Sequence, residues 1–162
     1  MVLDFALFDS ILPKAERSAR GRMHYDLRTQ AFEDALTGPN AADGGLVVLA
    51  SGDVPSGWRD TSQRMLNVLT PGTVIPVHRH NETSETVICL RGAVEEVFFS
   101  SDGVETESYV LRYGSECCAI QVPRGVYHTC RCLEPGSVIF EAKDRAYDSM
   151  RTEDMLEAKS EK

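Results

Sequence analysis

The amino-acid sequence predicts an all-β barrel or sandwich preceded by a helical segment, and three observations carry that expectation. From residue 61 short apolar runs alternate with turns almost to the end of the chain. The runs are strand-sized and spaced roughly evenly, the pattern of a sandwich or barrel. The breaks between them carry turn chemistry, at Pro71-Gly72, Asp102-Gly103 and Pro123-Arg124-Gly125.

The elements follow in order. Residues 2 to 20 are expected to be helical, since Leu3, Leu7, Ile11 and Leu12 recur at helical spacing and Pro13 suits a second turn. Gly21 ends that pattern. Residues 22 to 28 (RMHYDLR) predict a strand lying on the barrel, and residues 30 to 37 a short helix. Gly38-Pro39-Asn40 and Asp43-Gly44-Gly45 are loop signals, LVVLA at 46 to 50 a short strand, and 52 to 60 a second loop. The barrel strands are then read at MLNVL (65–69), TVIPVHRH (73–80), ETVICL (85–90), AVEEVFF (93–99), ESYVL (107–111), CCAIQV (117–122), VYHTCRCL (126–133) and SVIFEA (137–142). This divides the chain into an extension over 1–60, a barrel over 61–147 and a polar tail over 148–162 that is expected to fray.

Composition narrows the function. A chain of 162 residues fits one domain with one core. Its net charge of −8, with no run of Lys or Arg, argues against nucleic acid as a partner. No apolar run is long enough to span a membrane. The start, MVLDFALFDS, lacks a basic region and is interrupted by Asp4 and Asp9, so a signal peptide is not expected and the cytoplasm is the default location. Five cysteines, an odd count without a paired two-knuckle spacing, argue against both a disulfide framework and a cysteine zinc site.

The histidines carry the chemistry. His78 and His80 stand two apart, which on a strand puts both rings on one face. Glu85 opens the next apolar run across a short loop, where a hairpin would fold it back beside them. His128 lies on a later strand after the Pro123–Gly125 turn. Three imidazoles and a carboxylate suit a divalent transition metal (Fe, Mn, Zn, Ni or Cu) without selecting among them.

This spacing resembles the cupin superfamily. Gly72, five residues, His78-x-His80, four residues, Glu85, six residues and Gly92 fit the first cupin motif at every fixed position. Pro123-x-Gly125-x2-His128 fits part of the second, with Cys117 standing for its glycine and Cys132 for its asparagine. The resemblance implies a single cupin jelly-roll barrel and a metal held by His78, His80, Glu85 and His128. Ser18–Arg22, Gln63–Leu66, Pro71–Pro76, Glu134–Glu141 and Lys143 further resemble the WbuC family of cupin-fold metalloproteins, which is associated with bacterial surface-polysaccharide gene clusters. Arg28 stands where that family usually has a histidine.

Strand alternation extends the site. With His128 inward, Cys130 and Cys132 follow; with Glu85 inward, Val87 and Cys89 follow. Cys130 is then a candidate pocket residue, and the cysteines otherwise serve as small apolar filling. Arg64, on an apolar strand, is a candidate clamp for a substrate anion or one half of a structural salt bridge. Tyr25, Arg28 and His24 are candidates for the barrel mouth, and Tyr25, His24 and Tyr113 the nameable acid–base groups. The chain therefore reads as a small metal-dependent enzyme (isomerase, lyase or oxygenase type) acting on a sugar derivative or small organic acid, or alternatively as a non-catalytic module that binds a small ligand through its metal. A homodimer is expected, with the N-terminal helix and strand offering the surface.

Overall fold

A computed structural model describes residues 4–17, 22–26, 31–33, 62–145 and 152–159. Helix α1 spans Phe5–Arg17, within the 2–20 run that the apolar spacing predicted, with Pro13 inside it. Asp4 caps it: its Oδ1 accepts from Leu7 N at 2.9 Å. Among the described residues eleven strands follow: β1 Arg22–Asp26, β2 Ala31–Glu33, β3 Gln63–Leu69, β4 Val77–His78, β5 Glu85–Arg91, β6 Ala93–Phe99, β7 Glu105–Arg112, β8 Ala119–Val122, β9 Tyr127–Cys132, β10 Ser137–Lys143 and β11 Met155–Leu156.

They build two antiparallel sheets, ordered β2-β1-β3-β10-β5-β8 and β11-β4-β9-β6-β7. The last four of each order, 3-10-5-8 and 4-9-6-7, give the double Greek key of an eight-stranded jelly roll. Among the described residues the sheets do not close into a barrel, because β7 and β8 end their sheets without pairing to each other. The expected barrel is thus a two-sheet sandwich.

Alternation sorts the strands into faces. On β3, Leu66 and Val68 turn outward and pack with Phe8 of α1 and Val138, with Leu7, Leu12, Leu90 and Phe140 at the margin. The apolar stripe of α1 thereby covers one sheet. Between the sheets, Leu69, Val87, Cys89, Val94, Leu111, Cys130 and Ile139 form the inner core. A third cluster, Val77, Val97 and Phe99 with Tyr127 and Leu156, lies on the outer face of the second sheet.

Gly92 shows why the turn from β5 to β6 needs glycine. Its φ is +71°, and a Cβ there would sit 2.5 Å from Ser137 Oγ. That hydroxyl is fully buried and accepts from Ala93 N at 3.1 Å, joining the turn to the start of β10.

Three expectations change. The helix read over 30–37 is a strand where it is described, since Ala31–Glu33 pairs antiparallel with His24–Asp26. Pairing to a preformed edge outweighs the local helical preference of three residues. The tail beyond 148 does not fray over 152–159. There a 3-10 turn at Thr152–Asp154 leads into β11, which pairs with β4, Met155 facing His78 and Leu156 facing Val77. Lys159 N then donates to Gly103 O at 2.9 Å. Leu156 supplies the apolar contact that a polar composition hides. The third concerns Arg64, which shares the outer face with Leu66 and Val68 and is exposed, so it lies outside the interior. The strand read at 46–50 and Arg28 fall outside the described residues.

Candidate metal centre

Three elements bring the site together. His78 ends β4 and pairs directly with His128 on β9. His80 follows two residues on, and its carbonyl accepts from Gly125 N at 2.8 Å, which ties the histidine segment to the Pro123–Gly125 turn. Glu85 begins β5 in the opposite sheet and faces inward. One ligand atom from each of His78, His80, Glu85 and His128 lies within 4.8 Å of all the others.

The hydrogen bonds around the rings set their chemistry. His78 Nδ1 lies 2.9 Å from Pro76 O, and His128 Nδ1 lies 3.0 Å from Val126 O. A carbonyl only accepts, so each Nδ1 carries the proton and each Nε2 presents a lone pair inward. Glu85 Oε2 stands 3.0 Å from His80 Nε2 and 3.3 Å from His128 Nε2. The nearer approach is not aligned as a hydrogen bond: His80 Nε2 and Glu85 Oε2 are buried and find no hydrogen-bond partner among the described residues. Converging lone pairs left unmatched in a buried place suit a cation, and three imidazoles with one carboxylate suit a divalent transition metal.

Electrostatics agree. Burial alone would raise the Glu85 carboxyl, but the Lys143 ammonium and the His128 and His80 rings hold it well below its ordinary value, so it is an anion. Burial, with the charge of His128, pushes His78 well down, and burial also lowers His80. Burial would lower His128 as well, but Glu85 against it raises it. Burial thus holds His78 and His80 toward the neutral form that ligates a metal, while Glu85, the carboxylate a metal would share, strengthens the hold of His128 on its proton.

The other predicted residues separate. Cys130 faces inward and pairs with Glu96 on β6. Cys132 and Cys89 sit one step farther from the histidine–glutamate cluster, where their thiols reach backbone carbonyls: Cys132 Sγ to Glu134 O at 3.0 Å, Cys89 Sγ to Arg91 O at 3.4 Å. They fill the inner core instead of lining the centre. Tyr25 lies on β1, its backbone paired with Leu66. Tyr113 is exposed and stacks edge-on against Phe5 at 5.8 Å, remote from the metal ligands.

Sequence reasoning missed three groups. Lys143, in register with Glu85 across β5 and β10, places Nζ 3.4 Å from Glu85 Oε2 with its side chain only 8% exposed. Glu96 is buried on the inner face of β6, and Asn67 on that of β3. Their signal was present as charged or amide groups at positions whose strand parity is inward. A fourth, Asp154, clamps the histidine segment from outside. Its carbonyl accepts from Arg79 N at 3.0 Å, and its Oδ1 accepts from Arg79 Nε at 3.3 Å and from Asn81 Nδ2.

Fold and site together define a jelly-roll protein with a three-histidine, one-glutamate cluster between its sheets. Residues 55–111 match a family described as a domain of unknown function, DUF6016. No curated protein sequence matches the chain. Among solved structures, CapF with the inhibitor 3-isopropenyl-tropolone is 21% identical with a TM-score of 0.48, over 55% of this chain and 26% of that one. A deletion mutant of Bacillus subtilis oxalate decarboxylase OxdC is 17% identical with a TM-score of 0.47, over 57% and 24%. Oxalate oxidase in complex with the substrate analogue glycolate is 19% identical with a TM-score of 0.44, over 52% and 42%. The chain thus spans between about a quarter and less than half of the length of these structures. Among the described residues no helix is long and apolar enough to cross a membrane.

Proposed function

We propose that this chain is a cupin-type protein that holds one divalent transition metal through His78, His80, Glu85 and His128, and uses it to bind and activate a small oxygen-bearing ligand. The observation that carries this reading is the convergence of four ligand atoms within 4.8 Å, two of them buried without hydrogen-bond partners. The complete first cupin motif, Gly72 to Gly92, supports it from the sequence side, and the jelly-roll strand order supports it from the fold.

A bound metal supplies a Lewis acid that polarises a carbonyl, hydroxyl or carboxylate oxygen. The chain's own residues do the rest. Pro76 and Val126 carbonyls fix the ring orientations, Lys143 holds Glu85 in its anionic form, and Asp154 steadies the segment between His78 and His80. A sugar derivative or small organic acid is the ligand class we favour, in keeping with the likeness to WbuC-type cupins. Elemental analysis of purified protein is expected to find about one transition metal per chain. Absence of metal, or unchanged metal content in His78→Ala, overturns the reading. We also propose a homodimer, which light scattering tests directly; a monomer mass refutes it.

A further inference from the structure

Between the sheets the interior holds two polar side chains with atoms that find no hydrogen-bond partner among the described residues. Glu96 shares a face of β6 with Val94, a member of the inner core, and it pairs across to Cys130. Its carboxyl therefore points between the sheets. It is 1% exposed, and Oε2 finds no hydrogen-bond partner among the described residues. Asn67 enters the same interior from β3 in the facing sheet. It is 2% exposed, and neither Oδ1 nor Nδ2 finds a partner among the described residues. Asn67 is in register with Ile139 on β10, two residues from Glu141, and Glu141 is close enough for its charge to act on both Glu96 and Cys130.

Glu96 sits directly below the metal ligands, whereas Asn67 lies deeper, level with Ile139 and Cys89. Cys130, the partner of Glu96, follows His128 by two residues, a rise of roughly 6 to 7 Å along a strand. Phe98, two along from Glu96, is the partner of His128. An apolar residue at either position would extend the inner core formed by Val87, Val94, Leu111 and Ile139. A carboxyl and an amide there cost the fold stability, so what they gain must come from something they bind. Their chemistry is that of hydroxyl recognition. Burial pushes the Glu96 carboxyl up to about 8, so it is an O–H donor with a free acceptor oxygen at neutral pH, and the amide both donates and accepts. Neither group offers a full charge, whereas the Lys143 ammonium stands beside Glu85 above them.

We propose that Glu96 forms a subsite beneath the metal that reads a hydroxyl group of a hydroxylated carboxylic acid, whose acid end is held at the metal. This rests on the metal reading above and specifies the substrate class for it.

The test is calorimetric titration of zinc-loaded protein with glycerate and with lactate. The two anions share a carboxylate and a 2-hydroxyl, and glycerate carries one hydroxyl more. The wild-type protein is expected to bind glycerate about tenfold or more tightly than lactate, since a site built to hydrogen-bond a hydroxyl discriminates strongly against its absence. Glu96→Leu is expected to abolish that preference while zinc affinity stays unchanged. Glu96→Met serves as a second variant if leucine misfolds. Equal affinity for the two anions, failure of both to bind zinc-loaded protein, a preference that survives the substitutions, or a preference lost only together with zinc affinity overturns the subsite. Failure of the wild-type protein to bind zinc at all instead removes the metal reading on which the subsite stands.

Discussion

Replacing Lys143 by methionine separates the metal-free protein from the metal-loaded one. Lys143 Nζ lies 3.4 Å from Glu85 Oε2, and both side chains are almost wholly buried. At an effective dielectric of about 20, a unit ion pair at that distance is worth roughly 5 kcal/mol before desolvation. Removing one partner of a buried pair costs about 3 to 5 kcal/mol, because the other is left uncompensated. In the metal-free protein His128 shares part of the Glu85 charge, so the lower end, about 3 kcal/mol, is expected for Lys143→Met. With a divalent cation on Glu85 the carboxylate is compensated, and the loss should fall to about 1 kcal/mol, that of a surface pair. The cycle then closes only if the variant binds metal more tightly, by about 2 kcal/mol or roughly thirtyfold. Urea unfolding with a chelator and with saturating zinc, alongside zinc titration, reads all three legs. Equal destabilisation in both forms, or weaker zinc binding, would refute the reasoning and reduce Lys143 to a packing residue.

Other outcomes follow from the same geometry. The folded pKa of Glu96, about 8, is raised from an ordinary 4.5, so the folded state binds the extra proton and this group's contribution is fully present below 4.5 and lost as pH rises toward 8. At pH 7 it costs about 3 kcal/mol, so Glu96→Gln in chelator should be more stable by up to that amount, with the gain vanishing near pH 4.5; parallel stability curves from pH 4.5 to 8 would contradict it. Metal affinity should fall as the pH drops through the His128 range, whose raised value makes it the ring that competes hardest for a proton, and a pH-independent affinity would exclude His128 as a ligand. Gly92→Ala meets both a left-handed φ of +71° and a Cβ position 2.5 Å from Ser137 Oγ, so a loss of about 2 to 4 kcal/mol is expected by urea unfolding, and a neutral result would show that the turn relaxes freely.

Much of this was legible because period and turn chemistry speak for individual strands. The runs that become β5, β6, β7, β9 and β10 stand within a residue or two of their sequence boundaries. The histidine spacing placed His78, His80 and Glu85 at a strand end and hairpin, and the Pro123–Gly125 turn placed His128. What remained hidden depended on neighbours distant in the chain. Ala31–Glu33 is too short to declare itself and becomes a strand only against β1. Leu156 is a single apolar residue in an acidic tail, yet it finds Val77, Val97 and Phe99. Glu95 and Glu96 are adjacent, so alternation must bury one of them, and only the pairing with Cys130 and Val94's place in the core show which. Lys143 looked like the end of a strand, and its role needs the register that sets it opposite Glu85. Arg64 failed for the converse reason: a strand that is apolar on both faces gives no parity signal, and α1 decides which side is outside.

The tail strand has a kinetic meaning as well as a structural one. β4 is two residues long, paired on one side with β9 only through His78–His128 and on the other with β11. A strand so lightly held opens locally at far less cost than the whole domain. Release of β11 would free His78, Arg79 and Asn81 together while the sheets behind them stay folded. With a metal held there, lifting this small latch would be a cheaper route to its exchange than unfolding, and amide exchange at Arg79 is then expected to keep time with metal exchange.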